Sequence, residues 1–169
     1  MITTSKIRKI TPVCLLISLA RLLTGRLRFS KSFLAGEVSG IDGKTYKIFR
    51  HILIYPQNEE SGTHVFVVSF KFSHLSFRAN KLASVIPMLL IAGFPGFMQK
   101  IYALDPLSGN WQGMYQWRSQ KDLEAYQKSF VFRMMNKRAV KGSVISITIP
   151  HTTLNDYIKK QSEINNQQQ

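Results

Sequence analysis

Four side chains on two neighbouring segments carry the chemistry this sequence offers: Lys100 and Tyr102 in one, Tyr115 and Trp117 in the next. Residues two apart in a strand project to the same face, so each pair shares a surface. An amine and two phenols on an aromatic wall could orient a phenolic or aromatic small molecule, with the lysine favouring the ligand's anion. The competing reading makes the aromatics plain core and lets Lys100 snorkel outward. His74, just before a predicted helix, is the histidine nearest a plausible pocket mouth. His51, His64 and His151 are scattered without the spacing of a metal site. No glycine-rich phosphate loop, Ser-His-Asp order or paired carboxylates stand in the chain. Asp105, Asp122 and Glu124 are accounted for as turn, cap and helix-surface residues.

The 169 residues suffice for one domain with an appendage, and 44% apolar with 19% charged residues is a globular composition. The formal charge of +14 is lopsided, because residues 1–50 hold ten Lys or Arg against Glu37 and Asp42. Such an excess favours nucleic acid, anionic lipid or an acidic partner without choosing among them. Cys14 is the single cysteine, which excludes an intramolecular disulfide and a cysteine-built zinc site; among apolar neighbours it reads as a small buried hydrophobe. A disulfide-free domain fits a reducing cytoplasm.

An apolar stretch over residues 10–24, entered through Pro12 and flanked by Lys6, Arg8, Lys9, Arg26 and Arg28, is about five residues short of a membrane span and is interrupted by Arg21. A helix in the membrane interface and a helix docked on its own domain both suit it, and a signal peptide is disfavoured because Arg21-Leu22-Leu23 continues the run. Residues 1–50 are thus an N-terminal extension ending in a glycine-punctuated connector. A short strand over 45–55 could cover a sheet edge. The polar run 56–62 bounds a domain assigned to 51–158, and residues 159–169 read as a disordered tail.

Within the domain, alternation of Phe66, Val68, Phe70 and Phe72 predicts a first strand. Residues 76–91 follow as a helix that Pro87 must kink or restart. Strands over 97–104 and 110–117 form a hairpin around Asp105-Pro106. Ser119 and Asp122 then cap a second helix that buries Leu123, Tyr126, Phe130 and Met134. A fourth strand spans 142–149. The order βαββαβ is the α+β ferredoxin-like unit, with a four-stranded antiparallel sheet and two helices on one face.

With Pro95-Gly96-Phe97 after the first helix, Lys100 and Tyr102 on the second strand, Gly113-Met114-Tyr115 on the third and Leu123-Glu124-Ala125-Tyr126 in the second helix, residues 65–157 resemble the dimeric α/β-barrel superfamily of antibiotic-biosynthesis-type monooxygenases. Within it they are most similar to the YdhR-like members. The resemblance implies a homodimer packed through the helix-free sheet faces, with Trp111 and Tyr115 closing it. It also implies a pocket in each subunit between helices and sheet, and cofactor-independent oxygenation of a small hydrophobic or aromatic molecule in a dry cavity. The alternative on the same scaffold is a non-catalytic ligand-binding or stress-response dimer, peripherally attached to a membrane. Haem-degrading relatives pair an Asn and a Trp with an axial His, but Asn110 and Trp111 are adjacent on a strand and face opposite ways. Nucleic acid is disfavoured as a partner, since the aromatic RNA-recognition pattern is absent.

Overall fold

The computed structural model describes residues 4–56, 63–72 and 77–167. Its centre is the expected βαββαβ unit: β4 (His64–Lys71), α2 (Phe77–Ala83) with α3 (Val85–Ala92), β5 (Phe97–Leu104), β6 (Asn110–Trp117), α4 (Gln120–Gln127) with α5 (Phe130–Arg138), and β7 (Ile145–Pro150). The strands run β5-β6-β4-β7 and every pairing is antiparallel. This is the ferredoxin-like fold.

The sheet has seven strands, not four. Before the unit come α1 (Thr4–Leu23), β1 (Leu27–Phe29), β2 (Glu37–Ser39) and β3 (Thr45–Ile54). β3 pairs along β5 and carries β1 and β2 on its other side, so the edge that β5 would leave open is closed by the extension. The expected division at residue 50 therefore falls inside a strand.

Each helical layer is broken once, for a local reason. Pro87 stands in the first turn of α3, where its missing N–H costs nothing, but its ring excludes the carbonyl four residues back from a continuous helix. The chain accordingly breaks at Ser84, ahead of the proline rather than at it. The second helix stops at Lys128, and Ser129 caps a new one by accepting a hydrogen bond from the Phe132 amide. That restart changes the phase: Val131 is buried, while Phe130, expected inside, is 48% exposed. The cap at Ser119 is as expected, with its hydroxyl accepting from the Asp122 amide and donating to the Asp122 carboxylate at 2.7 Å.

Two apolar layers flank the sheet. Phe66, Val68, Phe70, Tyr102, Trp111, Tyr115 and Trp117 pack beneath α3, α4 and α5. Val65, Val67, Ile101 and Met114 face the opposite way, and that face is not bare. It is covered by α6 (Leu154–Gln167) through Leu154, Tyr157 and Ile158, together with Val38, Tyr46 and Ile48. The expected disordered tail is thus helical as far as Gln167, because Leu154, Tyr157 and Ile158 recur at helical spacing and have an apolar surface to bury. Trp111 and Tyr115 point into the helix-covered layer of their own chain and so cannot close a dimer through the other face.

A buried polar chain ties α6 down. His51 Nε2 lies 2.9 Å from Gln99 Oε1, Gln99 Nε2 donates to Gln116 Oε1 at 2.8 Å, and Gln116 Oε1 also accepts from the Leu154 amide at 2.8 Å. Burial pushes the His51 imidazole below its ordinary value, against the hydrogen bond to Gln99.

α1 begins earlier than expected and carries Pro12 inside it. It docks by a narrow stripe: Cys14 and Ser18 are buried, and Arg21 Nη1 donates to the carbonyl of Ala92 at the end of α3. The approach is close because residue 93 is glycine; a Cβ there would lie 1.8 Å from the Cys14 carbonyl oxygen. Leu16, Leu19 and Leu23 stay exposed on the outer surface. Among the described residues no helix is long and apolar enough to cross a membrane.

Candidate functional site

The hairpin register sets the site. Lys100 on β5 lies directly opposite Tyr115 on β6, and Tyr102 opposite Gly113. Directly opposed residues share a face, so the amine and both phenols converge beneath the helices. Gly113 is what lets them fit: a Cβ at that position would stand 2.8 Å from Cε2 of Tyr115, so the Tyr115 ring occupies space that any other residue would take. Lys100 Nζ sits 3.9 Å from the ring centre of Tyr102 and 4.2 Å from that of Tyr115. It does not snorkel outward; Lys100 is 5% exposed.

These residues line a small cavity between the sheet and helices α3 and α5. Phe70, Phe72, Trp111, Ile91, Val131 and Met135 make most of its wall apolar. Lys100 and Arg138 are its charged members, and no carboxylate or histidine is among the described residues lining it. Among the described residues there is also no cluster of three or more His, Cys, Asp or Glu to hold a metal ion.

The N-terminal extension packs behind the cavity lining. A β-bulge in β3 inserts Phe49 between Ile48, which pairs with Ala103, and Arg50, which pairs with Tyr102. The extra residue lets both Phe49 and Arg50 reach the helix side. Phe49 meets Trp111 edge-on at 5.3 Å and Tyr102 at 6.1 Å. The Arg50 guanidinium lies 5.3 Å from the Tyr102 ring centre, donates to Ser84 Oγ at 2.9 Å, and reaches the Lys81 carbonyl at 3.2 Å. One arginine thus joins β3 to the start of α3 at the cavity wall.

Electrostatics follow from burial. Desolvation drives the Lys100 amine well below the usual lysine value, and repulsion from Arg50 adds to it. The cation–π attraction of two rings opposes this shift, but no carboxylate among the described residues lining the cavity compensates it. Burial raises the phenols of Tyr102, Tyr115 and Tyr126. Tyr126 Oη donates to Tyr115 Oη at 3.2 Å, whereas Tyr102 Oη is buried without a hydrogen-bond partner. The cavity therefore presents a basic amine beside an unspent phenolic donor.

Of the five residues selected from sequence, Lys100, Tyr102 and Tyr115 come together. Trp117 is fully buried but stands apart from the cavity, stacked on Tyr126 at 4.9 Å and edge-on to Phe94 and Phe97. His74 lies outside the described residues. Asn110 and Trp111 do face opposite ways: Asn110 Nδ2 donates to Asp42, while Trp111 joins the cavity wall. Arg50, Phe49, Ser84 and Gly113 were not legible as site residues, because each depends on a pairing between distant segments.

No protein-family model matches the sequence, and no curated protein is similar to it. Solved structures are similar in fold. A ferredoxin-fold protein from Listeria monocytogenes, described as related to antibiotic biosynthesis monooxygenases, is 12% identical with a TM-score of 0.53, over 80% of this chain and 88% of that one. A monooxygenase-like protein from Listeria innocua is also 12% identical, with a TM-score of 0.51 over 80% of this chain and 87% of that one. By its strand order and by these likenesses, the chain has the ferredoxin-like fold found in proteins related to antibiotic biosynthesis monooxygenases.

Proposed function

We propose that the chain is a monooxygenase-like protein that takes a small hydrophobic or aromatic molecule into the cavity beneath α3 and α5. The observation that carries this reading is Lys100, an amine buried against two tyrosine rings on an apolar wall with no carboxylate to pair it among the described residues. A group placed so has no stabilising role that a methionine would not fill better, which marks a functional position.

The chemistry follows from the neutral amine. A phenol or enol entering the cavity gives its proton to Lys100 Nζ, and the resulting anion pairs with the ammonium in a site of low dielectric. Tyr102 Oη donates a hydrogen bond to a ligand oxygen. An electron-rich anion of this kind can reduce dioxygen directly, one oxygen atom entering the ligand and the other leaving as water, with all electrons drawn from the ligand.

Oxygen uptake with a panel of electron-rich phenols tests the reading. Uptake should fall at least ~100-fold in Lys100→Met, the scale of a lost general base. Binding without uptake would assign the protein to the non-catalytic ligand-binding class on the same scaffold. Absence of both binding and uptake across the panel would refute the reading.

A further inference from the structure

We propose that Lys100 captures the carbonyl group of an aromatic aldehyde or ketone as an imine, so that the cavity is a covalent carbonyl-binding site. This rests on the cavity being a ligand site, as proposed above, and does not require oxygenation.

Three features of the geometry point to it. Lys100 lines the cavity with Nζ over two rings, and no hydrogen bond or ion pair engages it among the described residues. Tyr102, two residues on and on the same face, has a buried hydroxyl with no partner. The wall beyond is aromatic, with Phe70, Phe72 and Trp111 suited to hold an aryl ring while its carbonyl reaches the amine. A neutral carbonyl needs a nucleophile, one proton donor and dryness, and these are present. Burial lowers the amine's pKa well below the usual lysine value and so favours its nucleophilic neutral form.

The step balances without a further reactant. The Nζ lone pair attacks the carbonyl carbon, the C=O π pair moves to oxygen, and Tyr102 Oη protonates that oxygen while recovering a proton from the nitrogen. The carbinolamine then takes a second proton on oxygen, again through Tyr102, and loses water as the second nitrogen proton departs. Aldehyde and amine become imine and water, with Tyr102 restored.

The test treats the full chain with 2-naphthaldehyde and cyanoborohydride near neutral pH, followed by intact-mass measurement and peptide mapping. Reduction fixes the imine as a secondary amine, adding the mass of the aldehyde less one oxygen atom. The expected result is one adduct, on Lys100, formed at least ~10-fold faster than on any other lysine, since exposed lysines with pKa about 10.4 are almost wholly protonated there. 2-Naphthol, which has the same rings without the carbonyl, should block labelling and should itself quench tryptophan fluorescence. Lys100→Met should lose the adduct, and Tyr102→Phe should slow labelling without abolishing it. If 2-naphthol binds but the aldehyde labels only other lysines, the inference is overturned and the ligand-site reading stands. If 2-naphthol does not bind and does not protect, both fall.

Discussion

Replacing Gly93 by alanine should prise α1 from the domain, and the size of the effect can be worked from the packing. The new Cβ would lie 1.8 Å from the Cys14 carbonyl oxygen, 2.5 Å from its carbonyl carbon and 2.7 Å from its Cα. All three are backbone atoms of a helix, so no side chain can turn aside. Ordinary contact requires the two segments to separate by roughly 1–1.5 Å, and overpacking on this scale costs about 1–3 kcal/mol. The same displacement weakens the bond from Arg21 to the Ala92 carbonyl and uncovers Cys14, which is 2% exposed. Cys14 is the single cysteine in the chain, so its reaction with a thiol reagent reports this interface alone. If the energy appears as easier opening of α1, thiol modification should accelerate roughly 5- to 150-fold, at tenfold per ~1.4 kcal/mol. Urea unfolding followed by tryptophan fluorescence should show the accompanying loss of stability. A Gly93→Ala protein with wild-type thiol protection and a stability within about 0.5 kcal/mol of wild type would refute the account of how α1 is seated.

Alkaline titration should reveal five buried phenols: Tyr46 and Tyr157 are raised to about 12, and Tyr102, Tyr115 and Tyr126 are raised further or in the same direction. Folded values above unfolded ones mean stability that is intact below about pH 10 and lost as pH rises beyond it, by up to ~7 kcal/mol per pH unit if all five contribute fully; absorbance at 295 nm should climb in one cooperative step with unfolding, and gradual ionisation in a folded protein would contradict the burial. Gln116→Leu leaves the Gln99 amide and the Leu154 N–H without their acceptor, so it should cost about 2–5 kcal/mol and speed hydrogen exchange in the first turn of α6. Anionic liposomes should retain the full-length protein through the exposed Leu16, Leu19 and Leu23 of α1 and the nearby basic residues, less so at high salt and less in Leu16→Asp/Leu23→Asp; a protein that stays unbound at low salt would exclude this attachment.

The ferredoxin-like unit was legible because its strands alternate cleanly and its turns carry the residues that turns require. Phe66, Val68 and Phe70 face the helices as their spacing predicts, and Asp105 accepts from the amides of Leu107 and Ser108 in the hairpin turn. The break between α4 and α5 was missed because the signal was equivocal: Ser129 is an ordinary N-cap residue inside a segment whose apolar periodicity looked continuous. The β3 bulge could not be read at all. Tyr46, Ile48 and Ile52 keep an even spacing, yet Tyr46 and Ile48 lie in one apolar layer and Ile52 in the other, because the extra residue between them reverses the phase. That reversal is what brings Arg50 against Tyr102 and Ser84, so the support that the extension gives the cavity lining was hidden while Lys100, Tyr102 and Tyr115 were not. The polar appearance of the C-terminal segment likewise concealed α6, whose three anchoring residues matter only because a sheet face awaits them.

The two ends of the sheet differ in what they can accept. At one end β3 is already flanked by strands of three residues each, too short to template much further pairing. At the other, β7 pairs only with β4 among the described strands and turns Ile145 and Ile147, each 42% exposed, toward solvent. A second copy meeting it antiparallel, β7 against β7, would satisfy both edges at once, and nothing would remain to recruit a third. Such an asymmetry would act as a stop on polymerisation: association along this direction would end at two chains, where a sheet with two long open edges could extend into a fibre.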